Sequence, residues 1–516
     1  MEFDKKLVSK ILDPIHGIIR LTEIEVKFID DPLFQRLRTI KQNTFLYKVF
    51  PSAIHSRFEH SLGVMNIAYE VLKNLQLNSF RFTKKNNDTS DVFEAVDQIP
   101  ESNVQELRLA ALLHDIGHGP MSHQFDSFLP TNESFKKQLS QDFPELFKMI
   151  GNNAIEHEHI SLIFVKTIYD NLCKEGKLTK KQQESINIDN VMMIIESKYL
   201  NKSINTTIAG KELDILPMLT SIISSCPIDA DRMDYLQRDS YFSGVKCGIY
   251  DSNRLFMSIV PVIEDDKLYL AYTESCIDSI AEFINARSNL FSQVYYHKTN
   301  RAFSAMLDSI CQAANNSKIN PDKDIFKSYL PSNKEKTDYL KCIKSFYLTN
   351  SDSYFLSTLL PRILSNSEIK TKGKRILNNL KKREPWLKVY EAKIYSDNLD
   401  IKNGINKNFK KQLKKEMSEI LEHIVEDIHY SIDIMTDNAF KDIEKTEIKL
   451  LTKNHLNKYS LNSFEKCGDK LNKHQSVKYF VRIFLDKKYK NIINDDILNE
   501  IEACKNKILN EYTKEI

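Results

Sequence analysis

Seven of the thirteen histidines in this 516-residue chain fall between His55 and His159. They are His55, His60, His114, His118, His123, His157 and His159. Histidine is the commonest metal ligand and the usual acid or base near neutral pH, so such clustering points to chemistry rather than core filling. The central run is Ala-Leu-Leu-His114-Asp115-Ile-Gly117-His118-Gly-Pro-Met-Ser-His123. An adjacent imidazole and carboxylate at a helix end project about 100° apart and can converge on one cation placed over that end. Two further ligands have to come from elsewhere. His60, in Arg57-Phe-Glu-His60-Ser-Leu-Gly63, and Asp231, in Asp229-Ala-Asp231-Arg232-Met-Asp234-Tyr235, complete a pattern H…HD…D. This mixed ligand set suits a divalent metal and leaves Mn, Mg, Fe, Zn and Ni open.

Helices have to position these groups. With only 12 Gly and 14 Pro, the chain carries few backbone punctuators, which favours helices. Leu62, Met65, Tyr69 and Leu72 recur at helical spacing, as do Leu109, Leu112 and Leu113, and Phe283, Ala286, Leu290 and Val294. Each stripe reads as core. A short strand pair is expected at Leu255–Val262 and Lys267–Tyr272, joined by Glu264-Asp265-Asp266. Polar stretches at 78–102, 130–153 and 315–337 read as loops or insertions, and the last is the expected boundary between lobes 1–314 and 315–516. The second lobe is charged and amphipathic, read as helical. Its window Lys370–Lys393 is rich in Lys and Arg, which reads first as a solvated helix face.

Hydrophobic residues at 41% allow a sizeable core and exclude a wholly disordered chain. The balance of 73 basic against 70 acidic residues gives no field that would announce a nucleic-acid binder. No apolar run is long enough for a membrane span, and the first residues lack an apolar signal core, so a cytoplasmic protein is expected. The eight cysteines form no C-x-x-C pair, which argues against both a disulfide framework and a thiolate zinc site.

With these residues in place, the chain resembles the HD-domain superfamily of metal-dependent phosphohydrolases. Within it, the sequence is similar to the deoxynucleoside triphosphate triphosphohydrolases, including the animal enzyme that carries a sterile-alpha-motif and its bacterial relatives. The resemblance is carried by Asp13-Pro-Ile-His-Gly17, Asp30-Asp-Pro-Leu-Phe-Gln-Arg-Leu-Arg38, Ile40-Lys-Gln42, Arg57-Phe-Glu-His-Ser-Leu-Gly63 and the segment ending Tyr295-Tyr-His-Lys298. It implies a mainly α fold: an HD-domain helical core with a small antiparallel β element and a helical C-terminal lobe. The implied reaction is hydrolysis of a dNTP at the α-phosphorus to deoxynucleoside and triphosphate. A cation held by His60, His114, Asp115 and Asp231 would polarise a phosphate oxygen and help form the attacking hydroxide. His123, oriented by Asp126, would protonate the leaving oxygen, with His118 and His157 as further acid or supporting candidates.

The resemblance also assigns the substrate contacts. Arg57 would face the α-phosphate and Arg287 the γ-phosphate, and Arg232 stands where the family often has Lys. Gln42 matches a residue reaching the sugar 3′ hydroxyl, Tyr235 and Tyr295 match aromatics against sugar or base, and Asp239 fits a 3′ hydroxyl acceptor or an ion pair with Arg238. Asn43 replaces an apolar residue beside the sugar, a change that would loosen sugar discrimination. Asp30, Gln35 and Arg38 match effector-recognising positions, with Arg383 and Lys388 as C-terminal counterparts under a one-residue shift. A nucleotide effector between subunits implies a homo-oligomer, a tetramer in this family. Two other readings compete: an HD phosphohydrolase acting on a cyclic nucleotide, an alarmone or single-stranded nucleic acid, and a nucleic-acid-binding scaffold built on Lys370–Lys393.

Overall fold

The computed structural model describes residues 2–514 apart from 86–98, 131, 209, 226, 317–338, 366–369, 397–404, 438–447, 454–458 and 464–476. The chain opens with an antiparallel hairpin of β1 (Leu7–Asp13) and β2 (Gly17–Thr22). Among the helices that follow are α1 (Arg57–Lys85), α2 (Glu101–Leu113), α3 (His157–Lys174), α4 (Ala230–Ser243), α5 (Ile277–Leu290) and α6 (Lys298–Asn316). The remaining strands are β3 (Asn205–Ile208), β4 (Lys211–Asp214), β5 (Ile259–Glu264), β6 (Lys267–Thr273), β7 (Leu387–Ser396), β8 (Tyr430–Asp437), β9 (Lys449–Lys453), β10 (Tyr459–Ser463) and β11 (Val477–Leu485). Among the described residues no helix is long and apolar enough to cross a membrane.

Local chemistry sets the helix starts that matter. At α1, Ser56 Oγ accepts from the Phe58 N–H at 3.2 Å and Glu59 accepts the Ser56 N–H at 2.9 Å, a reciprocal cap. At α4, Asp229 accepts the Arg232 N–H at 2.8 Å, and Gly244 ends the helix at φ +73°. At α3, His159 Nδ1 accepts the Glu156 N–H at 2.9 Å, so this histidine is a cap. Helix α2 runs through the centre of the core, buried from Asn103 to Leu113. Its Arg108 is tolerated there because Glu25 accepts from Nε at 2.7 Å and Nη2 at 2.8 Å. All three expected hydrophobic stripes are buried.

The mainly α fold carries a small β element, as expected, but several boundaries differ. Residues 255–258 belong to a helix, Ser252–Ser258, and the strand starts at Ile259. Residues 78–85 are the last turns of α1, and 86–98 lie outside the described residues. The stretch 130–153 holds two helices, Asn132–Leu139 and Pro144–Ile150, whose Phe135, Leu139, Leu146, Phe147 and Ile150 are buried. The stretch 317–337 lies outside the described residues.

The C-terminal region is not purely helical. It contains a three-stranded sheet of order β7-β11-β8, covered by the helices Ile405–Glu422 and Asp495–Lys514. The main hydrophobic core runs from Phe3 to Trp386 and also takes in Ile428, Ile448, Leu450 and Phe484. A second cluster runs from Ala392 to Ile508. Described residues from Tyr339 to Trp386 pack on the first cluster. β9 returns to the first core, pairing parallel with β6 in a six-stranded sheet. The basic window is half helix (Lys370–Lys381) and half strand, and much of its charge is engaged: Lys372 with Glu426, Arg375 with Asp486, Lys388 with Glu391.

Candidate active site

Three helices deliver the expected metal ligands to one place. His60 sits in the first turn of α1, His114 and Asp115 follow the end of α2, and Asp231 lies in the first turn of α4. Ligand atoms of His60, His114 and Asp231 all lie within 4.8 Å of one another. His60 Nε2 is 3.0 Å and His114 Nε2 3.9 Å from Asp231 Oδ1. Asp115 lies against them, 3.7 Å from His60 Nε2 and 3.5 Å from His114 Nε2, and its Oδ2 is also held by Arg57.

The donor set fits a divalent cation. The Nε2 atoms of His60 and His114 are buried and lack an aligned hydrogen bond, a costly state unless something else ligates them. Their other nitrogens are already fixed. His114 Nδ1 faces the Ala111 carbonyl at 2.9 Å, and His60 Nδ1 faces Asp234 Oδ2 at 2.8 Å. Each arrangement keeps Nδ1 protonated and aims the Nε2 lone pair at the site. Asp234 is in turn held by Arg238 at 2.8 and 2.9 Å and by His16 at 2.6 Å, the first two fully buried and His16 half-buried. Gly63, one turn after His60, makes room for this cluster, since a Cβ there would overlap both Asp234 and Arg238. Burial disfavours charge on His60, but Asp231 and Asp234 outweigh it and raise the imidazole to about 10. Binding a cation at Nε2 therefore requires release of a proton.

A second imidazole group adjoins the first. His118, His123 and His157 have ring nitrogens close enough together to hold an ion of their own. The His118 and His157 rings stack with centroids 3.7 Å apart. Asp126 faces two of them, 3.5 Å from His123 Nδ1 and 3.7 Å from His157 Nδ1. Burial depresses His157, yet Asp126 more than compensates and raises it. His118 is driven well below the ordinary imidazole value by burial, Arg57 and His157, so it stands neutral. That suits it to a hydrogen-bonding role rather than to donating a proton. His123 is 70% exposed at the rim, whereas His157 is buried beside Asp126, so His157 is at least as well placed a donor as His123.

These groups line a cavity of about 700 Å³. His114, Asp115 and Asp231 form part of its wall, and Gln42, Asn43, Tyr235, Asp239, Phe291 and Tyr295 form another part. Gln42 Oε1 is buried without a partner. Tyr295 lies in a π-helical turn, Phe291–Tyr295, that continues α5 and donates its hydroxyl to Asp239. The other Asp239 oxygen faces His55 Nε2 at 2.6 Å. Asp239 does not pair with Arg238, which turns one helical turn back to Asp234 and across to Asp13 at 2.9 Å. Of the three expected phosphate cations, Arg57 lines the cavity. Arg287 lies behind the wall, its Nε 3.3 Å from the Tyr235 hydroxyl and its guanidinium 4.8 Å from the Phe291 ring. Arg232 is folded onto Asp229, the cap of its own helix.

Of the expected effector residues, Gln35 donates to the Ile29 carbonyl at 2.8 Å and accepts from Arg38 Nε at 2.9 Å, while Arg38 stacks 3.5 Å over the Phe58 ring. Asp30 is the exposed C-cap of the helix Glu23–Ile29 beside them. Arg383 donates to the Lys48 carbonyl at 2.8 Å and Lys388 pairs with Glu391, so both C-terminal cations have partners within the chain. Sequence reasoning missed His16, Asp13, Asp234 and Arg238 as supports of His60, and Glu158, Glu196, Ser197 and Ser224 as cavity residues. It also missed Arg36, which donates to the Ile116 and His118 carbonyls and so fixes the turn carrying His118. The signal for the first group was present: two charged residues one turn apart on a helix, Asp234 and Arg238, with Asp13 and His16 in an otherwise compact motif.

Residues 57–239 match the HD domain family, and that segment carries all four of the residues gathered around the cation site. The chain thus carries an HD domain over these residues. Proteins named deoxynucleoside triphosphate triphosphohydrolase are among those it is similar to. It is 28% identical over 401 residues to the deoxynucleoside triphosphate triphosphohydrolase SAMHD1 homolog of Dictyostelium discoideum, covering 77% of this chain and 63% of that protein. It is 30% identical over 301 residues to the deoxynucleoside triphosphate triphosphohydrolase SAMHD1 of Bos taurus (58% and 46%), and 31% identical over 297 residues to the uncharacterized protein MJ1154 of Methanocaldococcus jannaschii (58% and 48%). The chain thus spans between about half and just under two thirds of the length of these relatives. A crystal structure of a phosphohydrolase from Bacteroides thetaiotaomicron shares the fold, with a TM-score of 0.58 at 22% identity over 92% of this chain and 99% of that one.

Proposed function

We propose that this protein hydrolyses deoxynucleoside triphosphates to deoxynucleoside and triphosphate. One observation carries the reading. A single cavity of about 700 Å³ joins the cation site and its imidazole neighbours to a wall of aromatic and amide side chains suited to a nucleoside. A divalent cation held by His60, His114, Asp115 and Asp231 would supply Lewis-acid polarisation of a phosphate oxygen and acidify water. The chain's own residues do the rest. Arg57, anchored by Asp115 and Ser122, presents positive charge to the same phosphate. Water oxygen bonds to the α-phosphorus, the bond to the 5′ oxygen breaks, and that oxygen takes a proton from His157 or His123, both oriented by Asp126. Tyr235 and Tyr295 supply aromatic surface against sugar and base, and the Asp239–Tyr295 pair closes the sugar end.

A nucleotide effector at Asp30, Gln35 and Arg38, acting between subunits of a homo-oligomer, belongs to the same proposal. The test is a panel of four dNTPs and four NTPs, each alone and in pairs, with divalent metal and product identification. Deoxynucleoside plus tripolyphosphate is expected. Orthophosphate or pyrophosphate as the released product would overturn the reading. Loss of turnover on Asp231→Ala, with the fold retained, ties the activity to this site.

A further inference from the structure

Asp352 lies far from the HD segment in sequence yet is 4% exposed beside the cavity wall. It opens a short helix, Asp352–Tyr354, capped by Ser351. Both of its oxygens are committed to backbone. Oδ1 accepts the Met121 N–H at 2.7 Å, and Oδ2 accepts the Lys41 N–H at 2.9 Å. No side chain competes for them among the hydrogen bonds and ion pairs of the described residues. One carboxylate thus ties together two stretches that are remote from each other in the chain.

Each stretch runs directly into cavity residues. Lys41 precedes Gln42 and Asn43, both in the wall. Met121 and Ser122 precede His123 and follow His118. Met121 and Ser122 adopt φ of +66° and +52°, a left-handed conformation that residues with a side chain rarely hold without external support. Asp352 supplies that support at Met121, and neighbouring bonds extend it. Ser122 Oγ donates to the Lys41 carbonyl at 3.0 Å and accepts from Arg57 Nε at 3.1 Å, and Thr44 donates to the Met121 carbonyl at 3.0 Å. The chain of contacts runs from Asp352 through both backbone segments to Arg57 and on to Asp115.

We infer that Asp352 is a positioning residue, whose carboxylate clamps the Lys41 and Met121 amides and so sets the Gln42–Asn43 wall and the His118–His123 turn in mutual register. The catalytic consequence rests on the proposed hydrolysis, but the clamp itself does not. Its removal should leave the cation ligands in place, because His60, His114 and Asp231 are held by other partners. It should instead displace the substrate wall and the imidazole turn, and a displacement of about 1 Å can cost about 100-fold in rate.

The test uses the full chain with Asp352→Asn and Asp352→Ala, beside Asp433→Asn as a control. Asp433, on β8, pairs with Arg301 of α6, and neither lines the cavity. Three readouts are taken: hydrogen exchange at the Lys41 and Met121 amides, bound metal per chain, and kcat, KM and the pH profile of hydrolysis. The expected result is loss of protection at both amides in Asp352→Ala and at one of them in Asp352→Asn, whose single amide oxygen can still accept one N–H, with unchanged metal content and kcat lowered about 10- to 100-fold with a shifted acid or base limb. Asp433→Asn should leave protection, kcat and the limbs unchanged. If Asp352→Asn keeps wild-type protection at both amides, or if it loses protection while kcat and the pH profile stay as in wild type, the assignment is overturned. Should Asp352→Ala fail to fold, the nearly isosteric Asn variant decides. If the wild-type protein hydrolyses no dNTP, the functional proposal fails, whereas amide exchange and metal content still report on the clamp.

Discussion

The support of His60 by Asp234 makes a quantitative prediction for Asp234→Asn. Asp234 is fully buried and accepts from His60 Nδ1 at 2.8 Å while bridging Arg238 and His16. The substituted amide has one oxygen and one NH2. If the NH2 faces His60, Nδ1 must become the acceptor and the proton moves to Nε2, the nitrogen that has to ligate. If the oxygen faces His60, the NH2 opposes the donors of Arg238. In the first case the ligating tautomer loses its support, in the second a neutral oxygen replaces the orienting carboxylate, and losses of this kind lower metal affinity about 10- to 100-fold, or about 1.4–2.8 kcal/mol. Arg238 keeps only Asp13 as its carboxylate partner, so the fold should also lose about 3 kcal/mol. The assay is titration of metal-free protein with Mn²⁺ against a competing chelator dye, alongside thermal unfolding. Asp231→Ala, which removes a ligand outright, should bind more weakly still. A folded Asp234→Asn protein with affinity within about twofold of wild type would refute the reasoning, because His60 would then need no orienting carboxylate.

Three further outcomes follow from packing and charge. Gly63→Ala should destabilise by about 1–3 kcal/mol in thermal or urea unfolding, since the added methyl meets Asp234 and Arg238, and should weaken metal binding in the same titration. Arg301→Ala removes the bidentate partner of Asp433, at 2.7 and 2.9 Å, and should cost about 3 kcal/mol, read as a lowered urea midpoint. The Asp126–His157 pair predicts a pH signature. Asp126 is held below its ordinary value despite burial, so its contribution is present above about pH 4 and is lost as pH falls through the depressed value. His157 is held above its ordinary value, so its contribution is full below about pH 6.5 and is lost as pH rises through the raised value. The Tm gap between wild type and Asp126→Asn should therefore be widest between about pH 4 and 6.5. A gap that stays flat from pH 3 to 9 would contradict the pairing.

Much of the cation site was legible because its ligands sit in short, distinctive runs, and the helices that carry them show clean hydrophobic stripes. The C-terminal sheet was not legible, for a physical reason. In β11, Tyr479, Val481, Ile483 and Leu485 face one cluster, while the opposite face mixes Lys478 and Arg482 with the buried Phe480 and Phe484, so no clean polar face marks a strand. A largely apolar run of that kind reads equally as helix or strand. The helices within 130–150 were hidden by their polar faces and by Pro144, which here starts a helix instead of ending one. The sequence does not tell that Arg232 turns onto its own helix cap, Asp229. Of the two readings of Asp239, the pair with Arg238 is not formed, because consecutive residues on a helix point about 100° apart and each has a partner on its own side.

The parallel pairing of β9 with β6 bears on how the molecule is made. Ala271, Tyr272 and Thr273 meet Lys449, Leu450 and Leu451, partners that leave the ribosome long after β6 itself. Until then the far end of β6 presents an open edge, the kind of surface on which nascent chains associate wrongly. Closing so wide a loop is slow, and sheet pairings distant in sequence limit folding speed. Synthesis of residues 449–453 is thus the moment at which this sheet becomes safe, and a nascent chain stalled before it should be the species that chaperones hold longest.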